Sequence, residues 1–464
     1  MALTTSNKIE KEEEESWEME TETTHVQMPV QVVISSINTN TNTNTNTNTN
    51  INININTKEE TKETKETKET KETKETKETK EEIINIIENW DELEIEPNLL
   101  RGIYAYGFEK PSHIQKKGIM PIISGKDIIA QAQSGTGKSA TFVIGSLTHV
   151  NTDDNSTQIL CLSPTRELSI QTAIVYKGIG SMIKNLKVHV LVGGNLIDDD
   201  IDCLKNNTPH IITGCPGRVF DMIRRNHLKA KKIKIIILDE ADEMLSVGFK
   251  EQVYNIFQYL KSDVQVALFS ATLPPNIYDI TNKFMRDPVK IIVKLEQLTL
   301  EGISQFFIAI DDDRQKYATL KDLYGRMSVS QCIIYANSVK RVESLYEAMT
   351  EDGFPVCRIH SDMNKQDRDK ALMEFKNGTF RVLISSNVTS RGIDVQQVGV
   401  VINFDIPKCV HNYLHRIGRS GRWGRKGVGI NFITSRDVRQ MKDIESFYST
   451  EIKELPENFE KLFA

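Results

Sequence analysis

The stretch that most constrains this chain is Ile235-Ile236-Ile237-Leu238-Asp239-Glu240-Ala241-Asp242. Four consecutive large apolar residues read as a strand buried on both faces. Such a strand needs helices on either side of its sheet, which argues for an α/β architecture. Two adjacent carboxylates then stand where the strand should end. In open α/β sheets, ligands bind at the carboxyl ends of strands. The pair therefore points towards a phosphate, a metal or a water to be activated. A polar loop after a core strand is the plainer alternative, and partners elsewhere in the chain must decide.

A partner occurs upstream. Ala132-Gln133-Ser134-Gly135-Thr136-Gly137-Lys138-Ser139 follows an expected strand and opens an expected helix. That is the context a phosphate-binding loop requires. Glycines let backbone N–H groups converge on phosphate oxygens, and a helix N-terminus adds a favourable field. Lys138 would neutralise the β- and γ-phosphates of ATP, and the Ser139 hydroxyl would ligate Mg²⁺. Ala132 takes the place of the first glycine of the generic pattern. With this loop in view, Asp239 reads as the acidic residue that holds Mg²⁺ through water. Glu240 reads as the group that orients and deprotonates the attacking water. The two carboxylates could instead cap the following helix.

Alternation of strand-like and helix-like segments extends the reading. Candidate strands are Asp127 to Ala130, Ile159 to Leu162, Val188 to Val192, His210 to Thr213, Ile235 to Leu238 and Val264 to Phe269. Helical periodicity fills intervals such as Ala140 to Leu147 and Glu167 to Gly178. A second series comprises Gln331 to Tyr335, Val356 to Ile359, Arg381 to Ile384, Val400 to Asn403 and Gly427 to Ile433. The pattern lapses between Asp287 and Gly302. The expectation is two α/β domains, 90–293 and 303–464, joined by a 294–302 linker, each with a mostly parallel sheet covered on both faces.

The first 89 residues differ in kind. They hold 10 Lys against 19 Glu, whereas the rest of the chain holds 48 Lys and Arg against 45 Asp and Glu. The overall charge of −6 thus comes from the tail, and the remainder is mildly basic, which permits a nucleic-acid partner. Asn-Thr and Ile-Asn repeats fill 38–56, and Thr61 to Glu81 is a Thr-Lys-Glu repeat. Such sequences cannot bury enough apolar surface to offset chain entropy, so 1–89 is expected to be a disordered or fraying tail. Six scattered cysteines without a Cys-x-x-Cys pair argue against zinc and disulfide frameworks. No signal pattern and no run of 18 apolar residues occurs, so no membrane partner is expected.

Several ordered motifs now resemble one family. Asp239-Glu240-Ala241-Asp242, Ser270-Ala271-Thr272 and His415-Arg416-Ile417-Gly418-Arg419-Ser420-Gly421-Arg422 are similar to those of the DEAD-box RNA helicases. Leu100 to Ser112, Asp239 to Leu245 and Arg391 to Val398 resemble the eukaryotic initiation factor 4A subfamily, with its exon-junction and ribosome-biogenesis relatives. The resemblance covers about 90 to 464. It implies two tandem RecA-like domains that ATP and single-stranded RNA draw together, with local duplex separation on closure and reopening after hydrolysis. A translation-initiation role in the cytoplasm follows from it, as do a monomer and a scaffold protein of initiation as partner. An ATP-gated RNA clamp in mRNA processing, or a weakly active competitor for scaffold partners, are the alternatives.

The same resemblance implies site roles. Phe108 would stack on adenine, and the Gln115 amide would bond its edge. Arg419 and Arg422 would reach the γ-phosphate from the second domain. Asp394 would meet the ribose or the arginine pair, and Ser270 and Thr272 would couple hydrolysis to RNA. RNA contacts fall to Pro164, Thr165, Arg166, Gly193, Gly194, Pro216, Gly217 and Arg218, then Asn337, Ser338, Arg368 and Ser386. These hold a phosphate backbone without reading bases. Arg416, Arg425 and Lys426 read as a solvated or RNA-facing basic loop. Four departures stand out: Ser139 for Thr, Cys215 for Thr, Lys365 for Gln, and Ser385-Ser386-Asn387 for a Thr-Thr-Asp pattern. Asn387 keeps an acceptor but loses a charge, which puts interdomain coupling in question.

Overall fold

The computed structural model of the chain describes residues 86–133, 135–245, 248–273, 275–292, 302–327, 330–390, 398–420 and 427–462. The expectations for most of the 1–89 tail, for most of the linker, and for Ser134, Asp394, Arg422, Arg425 and Lys426 lie outside these residues.

Seven strands form the first sheet: β1 (Ile128–Gln131), β2 (Ile159–Leu162), β3 (Val188–Leu191), β4 (Ile211–Gly214), β5 (Ile235–Asp239), β6 (Gln265–Ser270) and β7 (Val289–Ile291). Their order is β3-β4-β2-β5-β6-β1-β7. Seven more form the second: β8 (Ile303–Ala309), β9 (Gln331–Tyr335), β10 (Val356–Ile359), β11 (Val382–Ser385), β12 (Val398–Asn403), β13 (Gly427–Ile433) and β14 (Lys453–Glu454). Their order is β10-β11-β9-β12-β13-β8-β14, which repeats the first sheet strand for strand. Every described pairing in both sheets is parallel.

The apolar run at 235–238 does what its composition demands. Ile235 and Ile237 enter one core layer, with Trp90, Phe142 and Tyr176, while Ile236 and Leu238 enter the opposite layer, with Met222, Val253 and Leu268. Each fully buried aliphatic side chain contributes about 1.5–3 kcal/mol of transfer free energy. A polar residue anywhere in the run would forfeit that on one face or the other. The second sheet behaves alike: Ile333 and Tyr335 face one layer, Cys332 and Ile334 the other.

Helices α1 (Pro97–Ala105), α2 (His113–Ile123), α3 (Lys138–Leu147), α4 (Arg166–Ile179), α5 (Ile197–Asn206), α6 (Pro216–Arg224), α7 (Ala241–Met244), α8 (Lys250–Tyr259) and α9 (Pro275–Phe284) accompany the first sheet. Helices α10 (Lys316–Arg326), α11 (Val339–Glu351), α12 (Lys365–Lys376), α13 (Val410–Ile417) and α14 (Val438–Tyr448) accompany the second. Their starts follow local chemistry. The Thr165, Ser338 and Asn364 side chains accept from the third backbone N–H beyond, and Pro216 sits in the first turn of α6. Ser112 and Gln115 form a capping box at α2.

The expected strands are all present, most of them shifted by a residue or two. Three were not expected. β7 has three residues and β14 two, too few to show a period of two. β8 lies between β13 and β14 with its side chains mostly part-exposed, and its mixed Ile-Ser-Gln-Phe-Phe-Ile-Ala sequence hides beside the linker. The packed chain also begins before Trp90. Ile87 is buried in the first core layer, and its N–H donates to the Lys116 carbonyl.

Candidate functional site

The phosphate-loop candidate connects β1 to α3. Gly135 and Gly137 have φ of +83° and +100°, a region open to glycine and costly for other residues. At Gly137 space matters too, because a Cβ there would meet Gln115 Nε2 at 2.7 Å. Gln115 is buried and ties α2 to the loop. Its Oε1 accepts from Ser112 N, and its Nε2 lies 3.5 Å from the Gly137 carbonyl. Ser112 Oγ donates to the Thr136 carbonyl, and Thr136 Oγ1 to that of Gln133. Lys138 is buried at the start of α3, its Nζ donating to the Ala132 carbonyl at 2.8 Å.

Across the cleft, β5 ends in Asp239, and Glu240 follows it; both are buried. Glu240 has φ of +53°. A non-glycine residue in the left-handed region costs on the order of 1 kcal/mol or more, and such strain collects at functional sites. Glu240 stands at the cap position of α7 but its side chain makes no capping hydrogen bond, which removes the helix-cap reading. Burial and the neighbouring Glu240 charge push the Asp239 carboxyl up to about 7, against the opposing pull of Lys138. A cleft of about 370 Å³ joins these groups. Phe108, Gln115, Gly135, Thr136, Gly137, Lys138, Ser139, Asp239 and Glu240 line it, together with Arg419 from the second sheet's side. Within this lining Phe108 packs against Tyr106, ring centroids 5.2 Å apart. Tyr106, Lys110, Ser112, Ala140, Leu168, Gln171 and Val175 also line the cleft, and sequence reasoning assigns a role to none of them.

The cleft fits a hard cation. Ser139 and Asp239 both line it and offer oxygen donors, the class Mg²⁺ selects. Burial and the Glu240 charge raise the Asp239 carboxyl, and a cation at its oxygens would oppose both effects as Lys138 does.

A seam joins the two halves beside this cleft. Asp242 Oδ2 accepts from Thr272 Oγ1 at 2.8 Å and lies 3.0 Å from Nε2 of the buried His415, on α13. Ser270 Oγ receives the N–H groups of Asp242 and Thr272 at 3.4 and 3.3 Å. Ligand atoms of Glu240, Asp242 and His415 lie within 4.8 Å of one another. Asp242 and His415 lay within the quoted motifs, yet no role had been read for either. Arg419, also buried, donates from Nε to the His415 carbonyl.

Of the expected RNA contacts, Arg166 and Arg368 meet the other half across a second part of the seam, and the described arginines among these contacts already have protein partners. Arg166 donates to the Gly193 carbonyl at 2.9 Å and lies 3.6 Å from Asp369. A Cβ on Gly194, φ +83°, would meet that same guanidinium at 2.8 Å. Arg218 pairs with the buried Asp200 and donates to the Asn195 carbonyl. Arg368 donates to Glu167 across the seam at 2.6 Å, and Lys365 to Asn195 Oδ1 at 2.5 Å. Gly217 stands in the first turn of α6, 3.4 Å from Gln252 Oε1 if given a Cβ. Cys215 Sγ lies 3.7 Å from Ser169 Oγ, and burial pushes its thiol up to about 11. Pro164 precedes the α4 cap Thr165, Ser338 caps α11, and Ser386 is buried with its N–H on the Ile359 carbonyl. Asn337 has both ends of its amide engaged, with Ile406 O and Arg416. Arg416 corrects the sequence reading: it is fully buried, neither solvated nor RNA-facing.

Comparison with known proteins agrees with this geometry. Residues 112–280 match the DEAD/DEAH box helicase model, and 315–424 the helicase conserved C-terminal domain. The chain is 50% identical over 380 residues to the ATP-dependent RNA helicase eIF4A of Lodderomyces elongisporus, covering 82% of this chain and 95% of the relative. It is 50% identical over 377 residues to eukaryotic initiation factor 4A of Caenorhabditis elegans, covering 81% and 93%. Among solved structures, S. cerevisiae Dbp5 bound to RNA and ADP BeF3 superposes with a TM-score of 0.75 at 33% identity, over 81% of this chain and 98% of that one. Mss116p bound to single-stranded RNA and AMP-PNP shares the fold, with a TM-score of 0.73, 24% identity and 81% of each chain covered. With its paired sheets, glycine loop and buried Asp-Glu-Ala-Asp turn, the chain belongs to the DEAD-box helicases, in the eIF4A subfamily.

Proposed function

We propose that this chain is an RNA-stimulated ATPase that separates short RNA duplexes locally, in translation initiation and in the cytoplasm. The observation that carries the reading is the single cleft lined by Lys138, Asp239 and Glu240 from one half and Arg419 from the other. Backbone N–H groups and Lys138 hold the phosphates. Glu240, fixed by its turn, takes the proton of the attacking water, and Arg419 stabilises charge on the transferred group. Ser139 and Asp239 would hold Mg²⁺, which would supply charge that neutralises the phosphates. Phe108 packs on the base, while Gln115 acts on the loop as well as on the nucleotide. Arg422 and Asp394 complete the assignment by motif alone. Ser270 and Thr272, through Asp242 and His415, link the cleft to the second half.

On the RNA side, Arg166, Arg218 and Arg368 exchange protein partners for phosphates. Gly193, Gly194, Pro216, Gly217, Pro164, Thr165, Ser338 and Ser386 bring backbone or hydroxyl groups to the strand. Binding is sequence-independent and weakens with salt. An initiation scaffold is the expected protein partner of a monomer. The test is ATP turnover with and without single-stranded RNA, alongside displacement of a short duplex. Hydrolysis should rise with RNA and be accompanied by displacement. Turnover indifferent to RNA contradicts the reading, and stimulated turnover without displacement favours the clamp.

A further inference from the structure

The second half contains a buried cation with a neutral cage. Arg416 is fully buried. Its Nε donates to Asn387 Oδ1 at 2.8 Å, one terminal nitrogen to Asn403 Oδ1 at 3.1 Å and the Asp405 carbonyl at 2.8 Å, and the other to Asn337 Oδ1 at 2.7 Å. The guanidinium also lies 5.2 Å over the Tyr335 ring. Among the described residues no carboxylate bonds it directly, and burial pushes its pKa down to about 10. The Asp405 carboxylate is taken up by Lys316, Arg341 and the Asn337 N–H.

The cage ties together places that differ in exposure. Asn403 is buried at the end of β12, Asn337 is half-buried after β9, and Asn387 is exposed, next to the buried Ser386 that the proposed function assigns to RNA. At its centre, Arg416 lies on α13 between His415, which contacts Asp242, and Arg419, which lines the cleft. A hydrogen bond to a buried cation is a strong one, and its loss leaves charge unsatisfied. Any movement of the 386–389 turn on RNA therefore acts on the residue that sets the end of α13.

We infer that Asn387 is a positioning residue: from the exposed turn it holds Arg416, and through α13 it sets Arg419 and His415 for RNA-stimulated hydrolysis. The inference rests on Arg419 acting in the cleft. Asn387 makes no contact with the cleft itself, so its effect is on turnover with RNA and not on nucleotide affinity.

The experiment uses the full chain at saturating single-stranded RNA. Asn387→Leu removes the acceptor at similar size, and as an exposed position it should fold. It should lower RNA-stimulated kcat by about tenfold, the value of one charge-assisted hydrogen bond, with KM for ATP within about twofold of native. Asn387→Asp keeps the acceptor, adds a charge, and should hold the native rate or exceed it. The inference is overturned if the Leu variant keeps its rate, if its loss appears equally without RNA or as a rise in KM, or if the Asp variant falls as far as the Leu variant. Arg419→Ala serves as the separate check. If it retains native hydrolysis, the cleft assignment fails; if it is inactive while Asn387→Leu is not, only the present inference fails.

Discussion

The two sheets share one strand order, and among the described residues only the first leads through a positive-φ glycine loop to a buried lysine at the cleft. In the first, β1 leads through a glycine-bearing turn to Lys138 at the start of α3, and β5 ends in Asp239. In the second, β8 leads through Ile310-Asp311-Asp312-Asp313 to Lys316 at the start of α10, and Asp405 follows β12. There the equivalent lysine and carboxylate meet directly, Lys316 Nζ lying 3.2 Å from Asp405 and 3.0 Å from Asp313. Arg341 closes the cluster at 2.7 Å from Asp405. The same winding thus gives an open, ligand-ready end in one half and an ion-paired plug in the other. The connections differ: the first carries glycines of positive φ, and the second carries three consecutive aspartates, of which Asp313 pairs with Lys316.

This contrast is broken most sharply by treating the two lysines alike. Lys138→Ala should reduce ATP turnover by at least about a hundredfold, as removal of a preorganised charge does, with thermal stability retained. Lys316→Ala should instead cost stability, about 1–3 kcal/mol, since Asp405 keeps Arg341 as a partner. Turnover should stay within severalfold of native. Denaturant unfolding and steady-state hydrolysis on both variants separate the two outcomes, and a stability loss confined to Lys138→Ala would reverse the comparison.

Proton linkage sharpens it next. In the folded chain Asp239 stays protonated up to about 7, whereas in the unfolded chain it ionises near the ordinary aspartate value of ~4. Between these values the folded state binds more protons, so its stability falls as pH rises and levels off above about 7. Nucleotide-free unfolding measured from pH 5 to 8 should show this slope, and Asp239→Asn should flatten it. A slope unchanged by the substitution would mean the carboxyl is not held in its neutral form.

The smallest effect concerns the seam. Lys365 reaches Asn195 in the other half at an exposed position. Lys365→Gln should change RNA affinity by about 1 kcal/mol or less and lower its salt dependence slightly. Fluorescence titration of RNA at two salt concentrations reads this directly.

What could be read in the sequence follows from what is local. The run 235–238, the glycine loop and the Asp-Glu pair each carry their signal within a few residues, and the loop and the pair stand at one cleft, which the buried run supports from the core. The short edge strands β7 and β14 offered no period to read. Arg416 was misread for a different reason. A basic motif is ordinarily solvated, and partners distant in sequence, the amides of Asn337, Asn387 and Asn403, the Asp405 carbonyl and the Tyr335 ring, make its burial tolerable. Likewise, Glu240's left-handed backbone and Gln115's grip on the loop are tertiary facts. The role of His415 needed the two halves to meet before its contact with Asp242 could be seen.

The central claim is that hydrolysis occurs at the end of β5, with Glu240 acting on water. Glu240→Gln keeps the size and the turn while removing the base. ATP hydrolysis at saturating RNA should fall by about 10²–10⁴-fold, with nucleotide binding by fluorescence titration nearly unchanged. RNA-stimulated hydrolysis that survives the substitution at the native rate would contradict the account.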